Sequence, residues 1–125
     1  MSEYQIGDKV TAFYKTGKYI GEITDIRPQA YLVKVLGVLK HPQQGDLHNP
    51  KEVQVALFHE RKALSYREQT NVPKNMVKPY DGPIPQYADT LKEALQKMKA
   101  ELMADPSPFA QLSLKNVETL EKEYF

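Results

Sequence analysis

Lys9-Val10-Thr11-Ala12-Phe13-Tyr14-Lys15-Thr16-Gly17-Lys18-Tyr19-Ile20-Gly21-Glu22-Ile23 decides the class of fold. Val10 and Ala12 fall on one face and Thr11 and Phe13 on the other, the period-two pattern of a strand. Thr16-Gly17 predicts a tight hairpin turn in which glycine takes a positive φ. A second strand follows over residues 19–26. Gly21 in its middle predicts a bulge or sharp bend of the kind a small barrel needs at a corner, and Pro28 ends the strand.

Outward from this hairpin, β-branched and aromatic residues predict further strands at 31–38, 53–59 and 63–69. Residues 72–76 read as one helical turn, and residues 77–80 as a short closing strand. Short strands with a tight turn before the last describe a small SH3-like, five-stranded barrel over residues 1–80. Residues 41–51 hold Pro42, Gly45, Asn49 and Pro50 and read as an exposed loop, longer than a hairpin needs.

Asp81-Gly82-Pro83-Ile84-Pro85 is a stiff connector, because each proline fixes φ and biases its predecessor to extended geometry. Helical periodicity takes over beyond it. Tyr87, Leu91, Leu95, Met98 and Leu102 form one apolar stripe of a helix over residues 86–103. Asp105-Pro106 stops that helix, and Ser107 with Pro108 caps and opens a second one running to the C-terminus. Residues 86–125 therefore read as a two-helix hairpin whose apolar faces bury against the barrel. Charge divides along the same boundary. Residues 1–86 carry twelve Lys/Arg against nine Asp/Glu, a balance of +3, and residues 87–125 five against seven, a balance of −2.

Composition removes several function classes. A net charge of +1 over 125 residues offers no strong field for nucleic acid. The absence of cysteine excludes disulfides, thiolate metal sites, a cysteine nucleophile and any lipid carried on cysteine. No stretch approaches the roughly 20 apolar residues of a membrane helix, and the polar N-terminus lacks the apolar core of a signal peptide. A cytoplasmic protein is expected. His41 and His48 stand seven apart and His59 ends a strand, with Asp46 the nearby carboxylate; this is no zinc spacing. Ser65, Ser107 and Ser113 sit in no nucleophile elbow, and no glycine-rich phosphate loop occurs. The expectation is a non-enzyme without cofactor, metal or small-molecule substrate.

Two binding readings remain. A barrel of this type presents strand edges and a groove between loops that accept an extended protein segment. The expected partner contacts are Tyr14, Lys15, Lys18 and Tyr19 on the hairpin and His41, Gln43, Gln44, Asp46 and His48 in the loop. Tyrosine suits such a surface because it joins a large apolar face to a polar tip. The alternative is a nucleic-acid-binding module using Tyr14, Lys15, Lys18 and Tyr19 about the first turn with Arg61, Lys62, Tyr66 and Arg67, and the small net charge weighs against it.

Four segments taken in order resemble one family. They are residues 7–23, His41-Pro42-Gln43-Gln44-Gly45-Asp46-Leu47, Phe58-His59-Glu60-Arg61-Lys62-Ala63-Leu64 and Val77-Lys78-Pro79-Tyr80. Together they look like the kinase-associated protein B family of spore-forming bacteria. The resemblance implies an accessory activator of a membrane sensor histidine kinase that feeds the sporulation phosphorelay, meeting that kinase at the inner membrane face without inserting into the bilayer. It transfers no catalytic or contact residue. The family is also described as a lipoprotein, and a chain without cysteine cannot carry that anchor.

Overall fold

The computed structural model describes residues 4–45 and 60–125. Three consecutive strands, β1 (Lys9–Tyr14), β2 (Gly17–Ile26) and β3 (Ala30–Lys40), form an antiparallel meander. After them come β4 (Gln69–Pro73), one 3-10 turn (Lys74–Met76), β5 (Val77–Pro79) and the helices α1 (Tyr87–Met103) and α2 (Pro108–Tyr124). The sheet order is β4-β3-β2-β1-β5. Five strands and two C-terminal helices match the expected class. The sheet curls without closing, since β4 and β5 stand at its two ends and share no ladder.

Curling comes from β2 and β3, whose register shifts three times, including between Ile20 and Gly21. A Cβ on Gly21 would run into the Val33 side chain and come within 2.8 Å of the Lys34 carbonyl oxygen. The bend expected at this glycine is therefore one that only glycine allows. The first turn departs from expectation. Tyr14 pairs with Gly17, leaving Lys15 and Thr16 as the loop, and the positive φ falls on Lys15 at 55°. Gly17 is needed for a different reason: a Cβ there would lie 2.6 Å from the Tyr19 hydroxyl, so its absence lets the Tyr19 ring fold back along the strand.

The strand expected at 53–59 lies outside the described residues. The one expected at 63–69 is corrected. Residues 60–65 are irregular, residues 65–68 turn on a Glu68 N–H to Ser65 carbonyl bond of 3.0 Å, and Arg67 sits at φ 68°. The strand begins only at Gln69. Hydrogen bonds from Arg67 N–H to the Val35 carbonyl, 2.7 Å, and from Val35 N–H to the Glu68 carbonyl, 2.9 Å, carry the chain across this turn onto β3.

Two apolar clusters hold the molecule. Val10, Ala12, Ile23, Tyr31, Val33, Val72 and Val77 fill the concave side of the curled sheet. Tyr19, Val35, Val38 and Ala63 join Leu91, Ala94 and Leu95 of α1 and Val117 of α2 in the second. Burying each valine, leucine or isoleucine of these clusters contributes about 1.5–3 kcal/mol. The stripe read from the sequence is thus a packing face, with Tyr87, Met98 and Leu102 at its half-buried margin. Thr90 fixes α1 on β3: its Oγ1 accepts from Val38 N–H at 2.9 Å and donates to the Tyr87 carbonyl at 2.7 Å. Ser107 caps α2 as expected, its Oγ accepting from Ala110 N–H at 3.1 Å. Lys99 and Glu121 bridge the helices at 2.9 Å, and Lys62 meets Glu123 at 3.0 Å.

Candidate functional site

Residues 60–64 have no ladder partner among the described residues, yet their peptide groups cannot stay unsatisfied in a packed setting. Side chains from four distant places take the role of a neighbouring strand. Gln44 reads Arg61 as a strand would: its Oε1 accepts from Arg61 N–H at 2.8 Å and its Nε2 donates to the Arg61 carbonyl at 2.9 Å. Tyr124 of α2 accepts from Ala63 N–H at 2.9 Å. Tyr19 of β2 accepts from Leu64 N–H at 3.3 Å, and Tyr87 of α1 donates to the Leu64 carbonyl. Arg61 closes the arrangement by donating from Nε to the Gly45 carbonyl at 2.9 Å.

His41 completes the belt. The Pro42 carbonyl, 3.0 Å from Nδ1, can only accept, so Nδ1 carries the proton. Nε2 is then an acceptor, and the Tyr124 hydroxyl donates a hydrogen bond to it at 3.1 Å. Burial holds the His41 pKa below the usual imidazole value, partly opposed by the hydrogen bond to Pro42, and favours the neutral ring. Burial likewise pushes the Tyr19 hydroxyl up to about 12 and raises Tyr87 and Tyr124. At neutral pH the His41 ring and the three tyrosine hydroxyls of the belt are uncharged and serve as hydrogen-bonding groups.

The expected contact residues divide into three groups. Tyr19, His41 and Gln44 are buried, at 2%, 0% and 2% exposure. The exposed-loop expectation is therefore corrected for residues 41–45, which pack inward because Gln44 and His41 are spent on residues 60–64 and Tyr124. Tyr14, Lys15, Lys18 and Gln43 keep access to solvent. Asp46 and His48 lie outside the described residues.

One polar contact joins the hairpin to the loop: Gln43 N–H donates to Thr16 Oγ1 at 2.8 Å. Around this junction Tyr14, Lys15 and Pro42 face Glu60, Arg61 and Lys62 across a cleft of about 340 Å³. Lys15 rests over the Tyr14 ring, 5.4 Å from its centroid. Three cations against one carboxylate give the cleft a basic wall. Lys18 turns to the opposite side of the hairpin, 5.2 Å above the Phe13 ring. Arg61 and Lys62, which the sequence offers only for the nucleic-acid alternative, also line this cleft. Tyr66 lies away from the cleft, tilted against Tyr87 at 5.7 Å.

Among the described residues no group of three His, Asp or Glu could hold a metal ion, and no helix is long and apolar enough to cross a membrane. Comparison with known proteins gives the arrangement its context. The family model described as "Kinase associated protein B" matches residues 14–125. The "Kinase-associated lipoprotein B" of Bacillus subtilis (strain 168) is 60% identical over 125 residues, covering 100% of this chain and 98% of that protein. The crystal structure of kinase-associated protein B from Bacillus cereus superposes with a TM-score of 0.84 at 48% identity, covering 98% of each chain. The relative from B. subtilis is named a lipoprotein, whereas this chain contains no cysteine. Curled sheet, helical hairpin and sequence all agree with these relatives, and the chain belongs to the kinase-associated protein B family.

Proposed function

We propose that the protein is a non-catalytic accessory factor that docks on a membrane sensor histidine kinase and favours its active arrangement, in the phosphorelay that commits the cell to sporulation. Family membership supports association with a kinase. The observation that carries the docking surface is the Gln43–Thr16 hydrogen bond, which brings the hairpin and residues 41–45 to one cleft with Tyr14 and Lys15 accessible. An accessory factor shifts a kinase only by binding one arrangement better than the other. A tenfold preference corresponds to about 1.4 kcal/mol, within reach of an aromatic and a few charged contacts.

The test uses the kinase in vesicles, with autophosphorylation measured with and without this protein. Tyr14→Ala combined with Lys15→Glu alters the cleft and leaves the buried belt intact. A folded double variant that binds and activates the kinase as the parent does overturns the assignment of the cleft. Affinity recovery from cells with and without nuclease tests the partner class. A sensor kinase retained after nuclease supports the reading, and ribosomal or DNA-bound proteins removed by nuclease replace it with nucleic-acid binding.

A further inference from the structure

A second groove lies on the other side of the hairpin, where the ends of β2 and β3 meet α1. It encloses about 420 Å³ and is lined by Lys18, Leu39, Lys40, Lys97, Met98 and Glu101, with His41 and Ala94 at its floor. Lys18 and Lys40 stand directly opposite each other in the β2–β3 ladder. Like charges in that position are unfavourable to the sheet, and α1 adds Lys97 as a third. Among the described residues none of the three makes an ion pair; the ion pairs there all involve other side chains.

The backbone adds an independent observation. Lys18 pairs with Lys40 and Tyr19 with Val38, so Leu39 is the extra residue of a bulge. A bulge re-aims a side chain that the regular pleat would have placed elsewhere. Leu39 remains 39% exposed at the rim of the groove. Lys18 has the Phe13 ring as a neighbour, 5.2 Å from its Nζ, yet three cations gather around the exposed Leu39 with Glu101 as the one carboxylate in the lining. Cations and leucine together suit a ligand with negative charge and an apolar side chain.

We propose that this groove docks an acidic, partly apolar segment of a protein partner, with carboxylates held by Lys18, Lys40 and Lys97 and one apolar side chain seated against Leu39 and Met98. A concave site of side-chain dimensions fits a peptide better than the flat face of a bilayer. The inference is separate from the cleft at Tyr14 and Lys15 and stands whether or not that cleft meets the kinase.

The probe is a fluorescein-labelled peptide of Glu and Leu, about fifteen residues long, against a control with Gln in place of every Glu. Binding is read by fluorescence anisotropy at low salt. The Glu peptide is expected to bind and the Gln peptide to fail. The variant Lys18→Gln/Lys40→Gln/Lys97→Gln is expected to weaken binding about tenfold, three exposed charge contacts each worth a factor of about two. Tyr14→Ala/Lys15→Glu is expected to leave it within about twofold. Removing the opposed lysines relieves repulsion, so the triple variant is expected to melt no lower than the parent, and amide chemical shifts in the parent should move at Lys18, Lys40 and Lys97. No binding of the Glu peptide, equal binding of the Gln peptide, or an unaffected triple variant each overturns the proposal. So does tighter, lysine-dependent binding to phosphatidylserine vesicles or to a single-stranded oligothymidine, which would name a membrane or a nucleic acid as the occupant.

Discussion

Mild acid should weaken the fold through His41. In the native state His41 is fully buried, Nδ1 donates to Pro42, and Nε2 accepts from Tyr124. A proton on Nε2 would turn that acceptor into a donor and leave the Tyr124 hydroxyl hydrogen without its partner. Lys18 and Lys40 of the sheet and Lys97 and Glu101 of α1 line the adjoining groove. The folded pKa lies below the reference value of 6.5, with burial as the main cause. The sign follows: the unfolded chain takes up a proton that the folded chain refuses. This contribution is fully present above about pH 6.5 and is lost as pH falls below it, until the folded pKa is reached. A ring that stays neutral throughout costs at most about 1.4 kcal/mol per pH unit, or about 2 kcal/mol between pH 7.5 and 5. Urea unfolding at intervals across that range, repeated on His41→Gln, isolates the effect, since the variant keeps every other titrating group. The variant should be less stable at pH 7.5 by about 1–3 kcal/mol, for the hydrogen bonds it disturbs, and the two stability curves should converge towards pH 5. Parallel curves would refute the assignment of a buried neutral histidine.

Tyr124→Phe removes the hydroxyl that accepts from Ala63 and donates to His41, and should cost about 1–3 kcal/mol in urea unfolding. Gly21→Ala drives a methyl into Val33 and the Lys34 carbonyl and should cost about 1–3 kcal/mol, seen as a lower melting temperature by circular dichroism. Ser113→Ala should be neutral or stabilising by calorimetry, because the Ser113 hydroxyl of α2 is buried without a hydrogen-bond partner. Ser107→Ala should lower stability by about 1 kcal/mol through loss of the α2 cap.

The features legible in the sequence are those decided by near neighbours. Alternation fixes β1 at Lys9–Tyr14, a four- and three-residue rhythm fixes α1 at Tyr87–Met103, and Ser107-Pro108 marks the start of α2. The failures share a cause at the other extreme of sequence separation. Ala63 and Leu64 have the composition of a strand, but their hydrogen-bond partners are hydroxyls of Tyr124, Tyr19 and Tyr87, which no local rule connects to them. His41 beside Pro42 reads as a loop residue, and only Tyr124, 83 positions later, makes it a buried one. Tyr14, Lys15, Lys18 and Gln43 are accessible as the sequence suggests, whereas Tyr19, His41 and Gln44 are buried. The convergence of the hairpin, residues 41–45 and residues 60–62 on one cleft depends on the same long-range belt, which no local rule reveals.

That belt links the two halves of the molecule beside the cleft proposed for docking. Glu60, Arg61 and Lys62 form one wall of the cleft, yet the backbone just beyond them is held by Tyr87 from α1 and Tyr124 from α2. The helices therefore do more than cover the apolar cluster; they set the position of residues they do not adjoin in sequence. Lys62 adds a direct tie to Glu123, although an exposed pair of this kind contributes only about 0–1 kcal/mol. The larger share rests on hydroxyls that are half-buried or buried, where an unmade bond costs more than a made one contributes. A perturbation that loosens the last turn of α2 must then reach the cleft wall through Tyr124 and Ala63. By linkage, a ligand that braces the wall must stabilise the helical hairpin to the same extent.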